Sequence, residues 1–249
     1  MLTTGIKFTK FRIQKKYKKI KKELKILLKE NNQVIKSLTS NYKNKFNSKR
    51  LLRYKKSQNY RLIGMGGSSL GSQAIYDFLK HKINKEFYFL DNLNSNHKKF
   101  LNSNYVNIII SKSGSTLETI TNSNIYIKKK QKNIFITENR KSYLYVLAEK
   151  LKSEIIYHNN FIGGRYSVLS EVGMLPAELM GLNVRKFKQL NNLVKNKNFL
   201  NNLISNVETI VYLIKIKKFN SVILNYDKKS SNLFNWYQQL VAESLGKKG

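Results

Sequence analysis

A hydroxyl-rich stretch, ISKSGSTLET (110–119), follows the apolar run YVNIII, and five of its ten side chains carry a hydroxyl. A strand that ends in a small-residue turn and then opens a helix directs backbone N–H groups and hydroxyls at one point, where the helix dipole also favours negative charge. The stretch therefore predicts an anion site. The alternative is a Ser/Thr-rich helix N-cap, which needs no ligand.

Three further stretches could carry chemistry. GMGGSSLG (64–71) allows a ligand to approach the backbone closely, but Ser69 stands where a G-x-G-x-x-G dinucleotide motif needs its third glycine. GGRYS (163–167) places an arginine, whose fork of donors suits phosphate or enediolate oxygens, on a turn. AESLGKKG (242–249) places a glutamate near a helix end. Taken singly, each is equally well explained by a tight turn, a surface arginine or a solvated glutamate.

The elements around these stretches indicate an α/β fold. From about residue 60, short apolar runs such as EFYFLD, YVNIII and NIFIT alternate with helical patterns. Strands separated by helices of 10–15 residues predict a doubly wound, mainly parallel sheet. In such sheets ligands bind at the carboxyl ends of the strands, near a topological switch point. GMGGSSLG and SKSGST both fall at that end.

The two ends of the chain predict additional parts. Residues 10–30 place Ile13, Tyr17, Ile20, Leu24 and Leu27 on one stripe of a lysine-rich helix, which we expect to pack on the outside of the following domain. Near the C-terminus, NSVILNY predicts a strand and the last 20 residues a helix, as if a second α/β domain begins there. The predicted organisation is a basic helical region (1–45), an α/β domain (46–184) and connecting helices with an incomplete second domain (185–249).

Composition restricts the function classes. The chain has 249 residues, a formal net charge of +33, no cysteine and three histidines. Without cysteine there is neither a disulfide nor a thiolate metal site, and the histidines lack metal-ligand spacing, so we expect no metal. Lysine is spread along the chain rather than clustered, which favours solvated basic faces over specific nucleic-acid binding. No apolar run is long enough to span a membrane and no secretory signal is evident, so we expect a cytoplasmic protein.

Together, the order and wording of GMGGSSLG, ISKSGSTLET, GGRYSVLSEVGMLP and WYQQLVAESLGKKG resemble the phosphoglucose isomerase family, in its shorter bacterial form. The resemblance runs from about residue 61 to the last residue. It implies sugar-isomerase (SIS) type domains, a homodimer, and interconversion of glucose 6-phosphate and fructose 6-phosphate without a metal or organic cofactor.

The same resemblance implies roles for individual residues. Glu243 matches the family's ES-x-GK glutamate, the base that moves a proton between neighbouring carbons through a cis-enediol. Arg165 matches the arginine of GGR[YF]S, which stabilises negative charge on the enediolate.

Six more positions match substrate ligands of the family. Those proposed to bind substrate or its phosphate are Ser68, Ser111, Lys112, Ser113, Thr116 and Glu118. Helix capping would also explain Glu118. The family's ring-opening histidine and lysine lie beyond the ES-x-GK segment and cannot be assigned here, so we expect this chain to be the N-terminal part of an isomerase.

Two other readings of the sequence remain open at this point. The first is a sugar-phosphate-binding SIS regulatory module whose basic N-terminal arm contacts nucleic acid. It would use the same phosphate site but would need neither Arg165 nor Glu243. The second is an unstable fragment without activity of its own, because an unpaired strand near 221–226 would be exposed.

Overall fold

The computed structural model describes residues 18–93, 104–218 and 220–246. Within these ranges the chain forms two compact units. The smaller unit contains the described residues up to Tyr42 together with Lys188–Leu224, and the larger contains Lys43–Phe187 and the chain from Asn225 onward. Outside the described residues lie Ile13, Tyr17 and SNHKKFLNS (95–103), one of the helical patterns that alternate with the apolar runs.

The larger unit is built on five parallel strands in the order β2-β1-β3-β4-β5. These strands are β1 (Asn59–Ile63), β2 (Glu86–Leu90), β3 (Val106–Ile110), β4 (Asn133–Thr137) and β5 (Glu154–Tyr157). Every residue of β3 and β4 is buried, as expected for central strands that are covered on both faces.

Helices cover both faces of this sheet, so the predicted doubly wound α/β fold is confirmed. The larger unit contains α3 (Ser48–Lys55), α4 (Leu70–Phe78), α5 (Leu117–Tyr126), α6 (Tyr143–Lys150), α7 (Glu171–Leu179) and α10 (Ser231–Leu245). Alternate residues of β3 enter different cores: Ile108 packs in the core that α4 and α7 share, and Ile109 in the core with α5 and α6. This alternation is the period-2 geometry of a strand between two helical layers.

The switch point of the sheet lies between β1 and β3. The chain leaves β1 toward one edge of the sheet to form β2, and then crosses back to place β3 on the other side of β1. The connections after β1 and β3 therefore diverge, and a crevice opens between their carboxyl ends. GMGGSSLG and SKSGST follow these two strands directly.

The smaller unit is helical. It consists of α1 (Lys18–Lys29), α2 (Gln33–Ser37), α8 (Leu190–Leu193) and α9 (Lys197–Lys215). α1 confirms the described part of the predicted N-terminal helix, and it packs against α9. Ile20 and Leu24 are half-buried as expected, but Leu27 is exposed, and Leu28 takes the half-buried place next along the stripe.

The strand predicted over NSVILNY is wrong. Residues 220–227 form no regular element, and the side chains of Val222 and Tyr226 are 81% and 94% exposed. A strand needs a hydrogen-bonded neighbour, and no described strand pairs with this segment. α10 belongs to the larger unit, where it packs against α4. The described residues contain no second sheet, so a second α/β domain stays a prediction.

Candidate active site

The turn after β3 is folded by its own hydroxyl groups. Gly114 has a φ of 65°, and a Cβ there would collide with the Ser142 side chain, so only glycine fits. The Ser111 hydroxyl accepts a hydrogen bond from the Gly114 backbone N–H (3.1 Å) and contacts the Thr116 hydroxyl (2.9 Å). The Ser115 N–H donates to the Ser113 hydroxyl (3.2 Å). We call residues 111–116 the hydroxyl turn.

The hydroxyl turn ends at a helix whose N-terminus has no side-chain cap. Thr116 is the N-cap residue of α5, but its hydroxyl is engaged with Ser111 and caps nothing. Glu118 lies in the first turn of α5, where a negative charge is favoured by the helix dipole. The first backbone N–H groups of α5 are therefore available as donors for an anion.

Two cations flank the hydroxyl turn. The Lys112 ammonium donates to the Asn160 carbonyl (2.9 Å) and lies 3.5 Å from the Glu138 carboxylate. Arg140 contacts the same carboxylate at 3.2 Å and donates to the Ser113 carbonyl at 3.4 Å. The turn therefore combines hydroxyls, unused helix N–H groups and positive charge, which is the chemistry of a phosphate site.

The glycine turn after β1 packs against the GGRYS segment. A Cβ on Gly67 would collide with the Gly164 backbone, and the Gly67 carbonyl accepts from the Ser167 hydroxyl at 3.3 Å. Gly66 has a φ of 55°, and a Cβ on it would lie 3.0 Å from the Gln239 amide of α10. Ser68 is half-exposed on this turn. The glycines here permit the turn to approach the GGRYS backbone and the Gln239 side chain of α10 closely.

Arg165 and Glu243 form an ion pair at this junction. Arg165 Nη1 lies 3.2 Å from Glu243 Oε2, and Arg165 Nε donates to the Ser244 hydroxyl at 3.1 Å. The Gln239 amide donates to the other Glu243 oxygen at 2.8 Å. Both carboxylate oxygens are thus held, and the Glu243 side chain as a whole remains 44% exposed.

Two aromatic side chains hold Arg165 in place. The guanidinium carbon lies 4.6 Å from the centroid of the Tyr166 ring, and the Arg165 carbonyl accepts from the Trp236 indole N–H at 3.1 Å. Hydrogen bonds with Tyr166 and, after it, Glu243 raise the pKa of Arg165. Hydrogen bonds from Ser244 and then Arg165 lower the pKa of Tyr166.

His158 is a buried structural residue. It is 1% exposed, and its Nδ1 lies 2.8 Å from the Asn159 carbonyl. Burial lowers the pKa of His158, which keeps the ring neutral. The described residues contain no group of three or more His, Asp or Glu side chains that could hold a metal ion. Nor does this part of the chain contain a helix long and apolar enough to cross a bilayer.

The structure brings the predicted residues together in two groups at one end of the sheet. Ser111, Lys112, Ser113, Thr116 and Glu118 surround the hydroxyl turn after β3. Ser68, Arg165 and Glu243 belong to the junction of the glycine turn, GGRYS and α10. The Lys112 bond to Asn160 links the hydroxyl turn to the loop that leads into GGRYS.

Sequence reasoning missed three side chains of the junction: Tyr166, Gln239 and Ser244. Gln239 precedes Glu243 by four residues, so the two share a helix face, and that spacing could have identified it. Tyr166 and Ser244 lie inside the quoted motifs, but only the packing of α10 on GGRYS shows that they meet.

Comparison with known proteins supports the resemblance along most of the chain. The family model described as phosphoglucose isomerase matches residues 15–249. Glucose-6-phosphate isomerase from Methanocaldococcus jannaschii is 36% identical over 208 residues, which cover 76% of this chain and 51% of that protein. The enzymes of the same name from Acholeplasma laidlawii and Campylobacter jejuni are 33% and 31% identical, with similar coverage.

The chain spans about half the length of these curated relatives. Among solved structures, a hypothetical protein from Thermus thermophilus superposes with a TM-score of 0.71 at 22% identity. The match covers 92% of this chain and 60% of that one. At this identity the likeness supports the fold alone.

Proposed function

The chain belongs to the phosphoglucose isomerase family, and from that membership we propose that it carries the phosphate site and the base–arginine pair of an aldose–ketose isomerase. The substrates are glucose 6-phosphate and fructose 6-phosphate. The single observation that carries the proposal is the Arg165–Glu243 pair, two residues 78 positions apart that meet at the same end of the sheet as the uncapped N-terminus of α5.

The pair has the chemistry that aldose–ketose isomerisation requires. A base takes the C1 proton of the open-chain ketose, a C1=C2 double bond forms, and the C2 carbonyl becomes an enediolate oxygen. The proton then returns to C2, and a proton moves from O1 to O2, which yields the aldose. One carboxylate can serve both carbons because they are neighbours, and we assign this role to Glu243.

Arg165 is assigned to the negative charge that develops on the enediolate. In the structure its guanidinium is neutralised by Glu243 at 3.2 Å. When substrate enters, its C1 hydroxyl and C2 carbonyl oxygens replace the carboxylate as partners of Arg165, and Glu243 is released to accept the C1 proton. The enediolate that then forms carries its negative charge beside the guanidinium. A cation positioned for the charged intermediate stabilises it more than the neutral ketose, which accelerates the reaction.

The substrate phosphate is assigned to the hydroxyl turn. Ser113 and Thr116 supply hydroxyls there, and Lys112 supplies charge. The Ser111 hydroxyl accepts from the Gly114 N–H and so stabilises the turn. Glu118 and Ser68 are assigned to the sugar. A phosphate dianion at the N-terminus of α5 gains from the unused N–H groups and the helix dipole together.

Some steps and properties of the proposed enzyme require groups outside these sites. The resemblance places a ring-opening histidine, from a partner subunit, and a lysine beyond ES-x-GK. We therefore propose that Glu243 and Arg165 act on the open-chain sugar, within a homodimer and in the cytoplasm, and that ring opening depends on those other groups.

The regulatory-module reading is less well supported. Such a module needs the phosphate site alone, and it does not account for a glutamate held by both oxygens beside a stacked arginine. Residues 1–17 of its proposed basic arm lie outside the described residues. Retention of the chain on DNA at near-physiological salt, rather than only at low salt, would favour this alternative.

The proposal is tested by following fructose 6-phosphate in D₂O with proton NMR, using this chain. Glucose 6-phosphate carrying deuterium at C2 would establish that a base removes the C1 proton and that the proton on this base exchanges with solvent before transfer to C2. Broadened sugar signals without conversion would support the phosphate site and leave ring opening to the additional groups. A chain that neither converts nor binds the sugar phosphate would contradict the proposal.

Binding can be followed independently with Trp236, the chain's single tryptophan. Its indole N–H contacts the Arg165 carbonyl, so its fluorescence reports on the junction. We expect fructose 6-phosphate to change the Trp236 emission saturably, and sorbitol, which lacks the phosphate, to leave it unchanged.

A further inference from the structure

The Ser244 hydroxyl lies between two groups of the GGRYS segment. It is 3.1 Å from Arg165 Nε and 2.9 Å from the Tyr166 hydroxyl. Arg165 Nε can only donate, so Ser244 accepts there, and its own proton is free to point at the Tyr166 oxygen. The result is a chain of hydrogen bonds from Arg165 through Ser244 to Tyr166.

This chain holds a different edge of Arg165 from the one that Glu243 holds. Glu243 contacts Nη1, at the end of the guanidinium, whereas Ser244 contacts Nε, at its side. Tyr166 acts twice, because its ring also stacks against the guanidinium with 4.6 Å between the Cζ atom and the ring centroid. Arg165 would therefore keep two contacts after the ion pair separates.

The charge of the partners also matters. A second carboxylate on the Nε edge would neutralise Arg165 further and weaken its attraction for an enediolate. A serine hydroxyl fixes the same edge without adding charge, so the guanidinium keeps its positive charge for the reacting oxygens. The same arrangement removes side-chain freedom from the arginine before substrate arrives.

We propose that Ser244 and Tyr166 are positioning residues that keep the Arg165 guanidinium in place when Glu243 leaves the ion pair to act as the base. This inference rests on the proposed function, because it assumes that Arg165 meets an enediolate. Neither residue touches the reacting atoms in this assignment. Both act through Arg165.

The test compares two probes in titrations followed by isothermal titration calorimetry, which detects binding at the hydroxyl turn and at the junction alike. The first is a five-carbon aldonic acid phosphate, whose carboxylate imitates an enediolate, and the second is inorganic phosphate. We expect Ser244→Ala to weaken the aldonate phosphate about tenfold and to leave inorganic phosphate unchanged, because only the first probe needs Arg165. Tyr166→Phe, which keeps the ring stack, should weaken the aldonate phosphate about threefold.

Two further variants complete this design. Ser244→Thr keeps a hydroxyl and should bind the aldonate phosphate almost as well as the wild type. If position 244 required only a small side chain, Ser244→Thr would not restore this binding. Tyr237→Phe, an exposed tyrosine on the same helix, should behave as the wild type. Retained binding of inorganic phosphate shows that each variant is folded.

A second measurement separates positioning from the ion pair itself. The Arg165 Nε–H signal in ¹⁵N NMR, assigned with Arg165→Lys, should stay protected from solvent exchange in Glu243→Gln and lose protection in Ser244→Ala. Equal binding of the aldonate phosphate by Ser244→Ala and the wild type would overturn the inference alone. Failure of the wild type to bind either probe would overturn the proposed function and the inference with it.

Discussion

The hydroxyl turn and the Arg165–Glu243 junction lie at the same end of one sheet but are built in different ways. The hydroxyl turn is a single stretch between one strand and one helix, and its groups bond to each other across two to five residues. The junction joins three chain segments that lie 71 or more residues apart, and it depends on α10 packing against GGRYS and the glycine turn.

The two regions also differ in what they leave unsatisfied. The hydroxyl turn has uncapped helix N–H groups, and its two cations, Lys112 and Arg140, share the single carboxylate of Glu138, so one positive charge remains for an incoming anion. The junction satisfies its own charges, because Arg165 and Glu243 neutralise each other. Binding and chemistry are therefore assigned to different regions, and variants should separate them.

The largest effect is expected from Glu243→Gln. The amide cannot accept the carbon-bound proton, so in the isomerase that also carries the ring-opening groups turnover should fall about 1,000-fold or more, while sugar-phosphate binding at the hydroxyl turn stays within about twofold. The assay is conversion of fructose 6-phosphate by NMR together with the Trp236 titration. Glu23→Gln, on exposed α1, serves as the matched control. Unchanged turnover in Glu243→Gln would remove the catalytic assignment.

The second effect tests whether the hydroxyl turn depends on its glycine. Gly114→Ala introduces a Cβ at positive φ against the Ser142 side chain, and we expect it to lower the free energy of unfolding by about 2–3 kcal/mol. Urea denaturation measures the change.

The control for this variant comes from the junction. Gly164→Ala adds a Cβ with nothing within 4 Å of it, so its effect should stay below about 1 kcal/mol. If Gly164→Ala proves as costly as Gly114→Ala, the strain is not specific to the hydroxyl turn.

The third effect concerns charge beside the hydroxyl turn. Lys112→Gln should weaken fructose 6-phosphate binding about tenfold and reduce its dependence on salt, because one charge-assisted contact is lost. Lys128→Gln, at an exposed position beyond α5, should change neither. An unchanged dissociation constant in Lys112→Gln would show that the helix N–H groups and hydroxyls bind the phosphate without help from Lys112.

This difference between local and assembled regions also explains what could be predicted from sequence. The buried strand VNIII and the hydroxyl turn after it are determined by neighbouring residues, so period and composition indicate them. The meeting of Glu243 with Arg165 depends on where α10 packs, and only the family resemblance suggested it. Gln239, Tyr166 and Ser244 became visible as part of the site only through that packing.

The incorrect prediction has the same origin. NSVILNY has the composition of a strand, but a strand exists only with a hydrogen-bonded neighbour, and neighbours are a property of the whole fold. The segment therefore lies in an irregular, exposed conformation in the structure. Local pattern identified the right residue types there and could not identify the missing partner.

The smallest effect is expected at His158, in the loop that precedes GGRYS. Its backbone N–H bonds to the Thr137 carbonyl, next to Lys112, and its buried ring faces the charges of Lys112, Glu138 and Glu171. Burial holds the pKa of His158 below its ordinary value of 6.5, so the unfolded chain takes up a proton before the folded chain does. The stability that the neutral ring contributes is complete above pH 6.5 and is lost as the pH falls through the lower folded pKa.

Melting curves between pH 7.5 and 5 should show a decline in melting temperature that is shallower in His158→Gln and unaltered in His81→Gln, an exposed histidine. Parallel declines in all three proteins would assign the loss to carboxylates instead, and the loop between the two regions would then not respond to pH through His158.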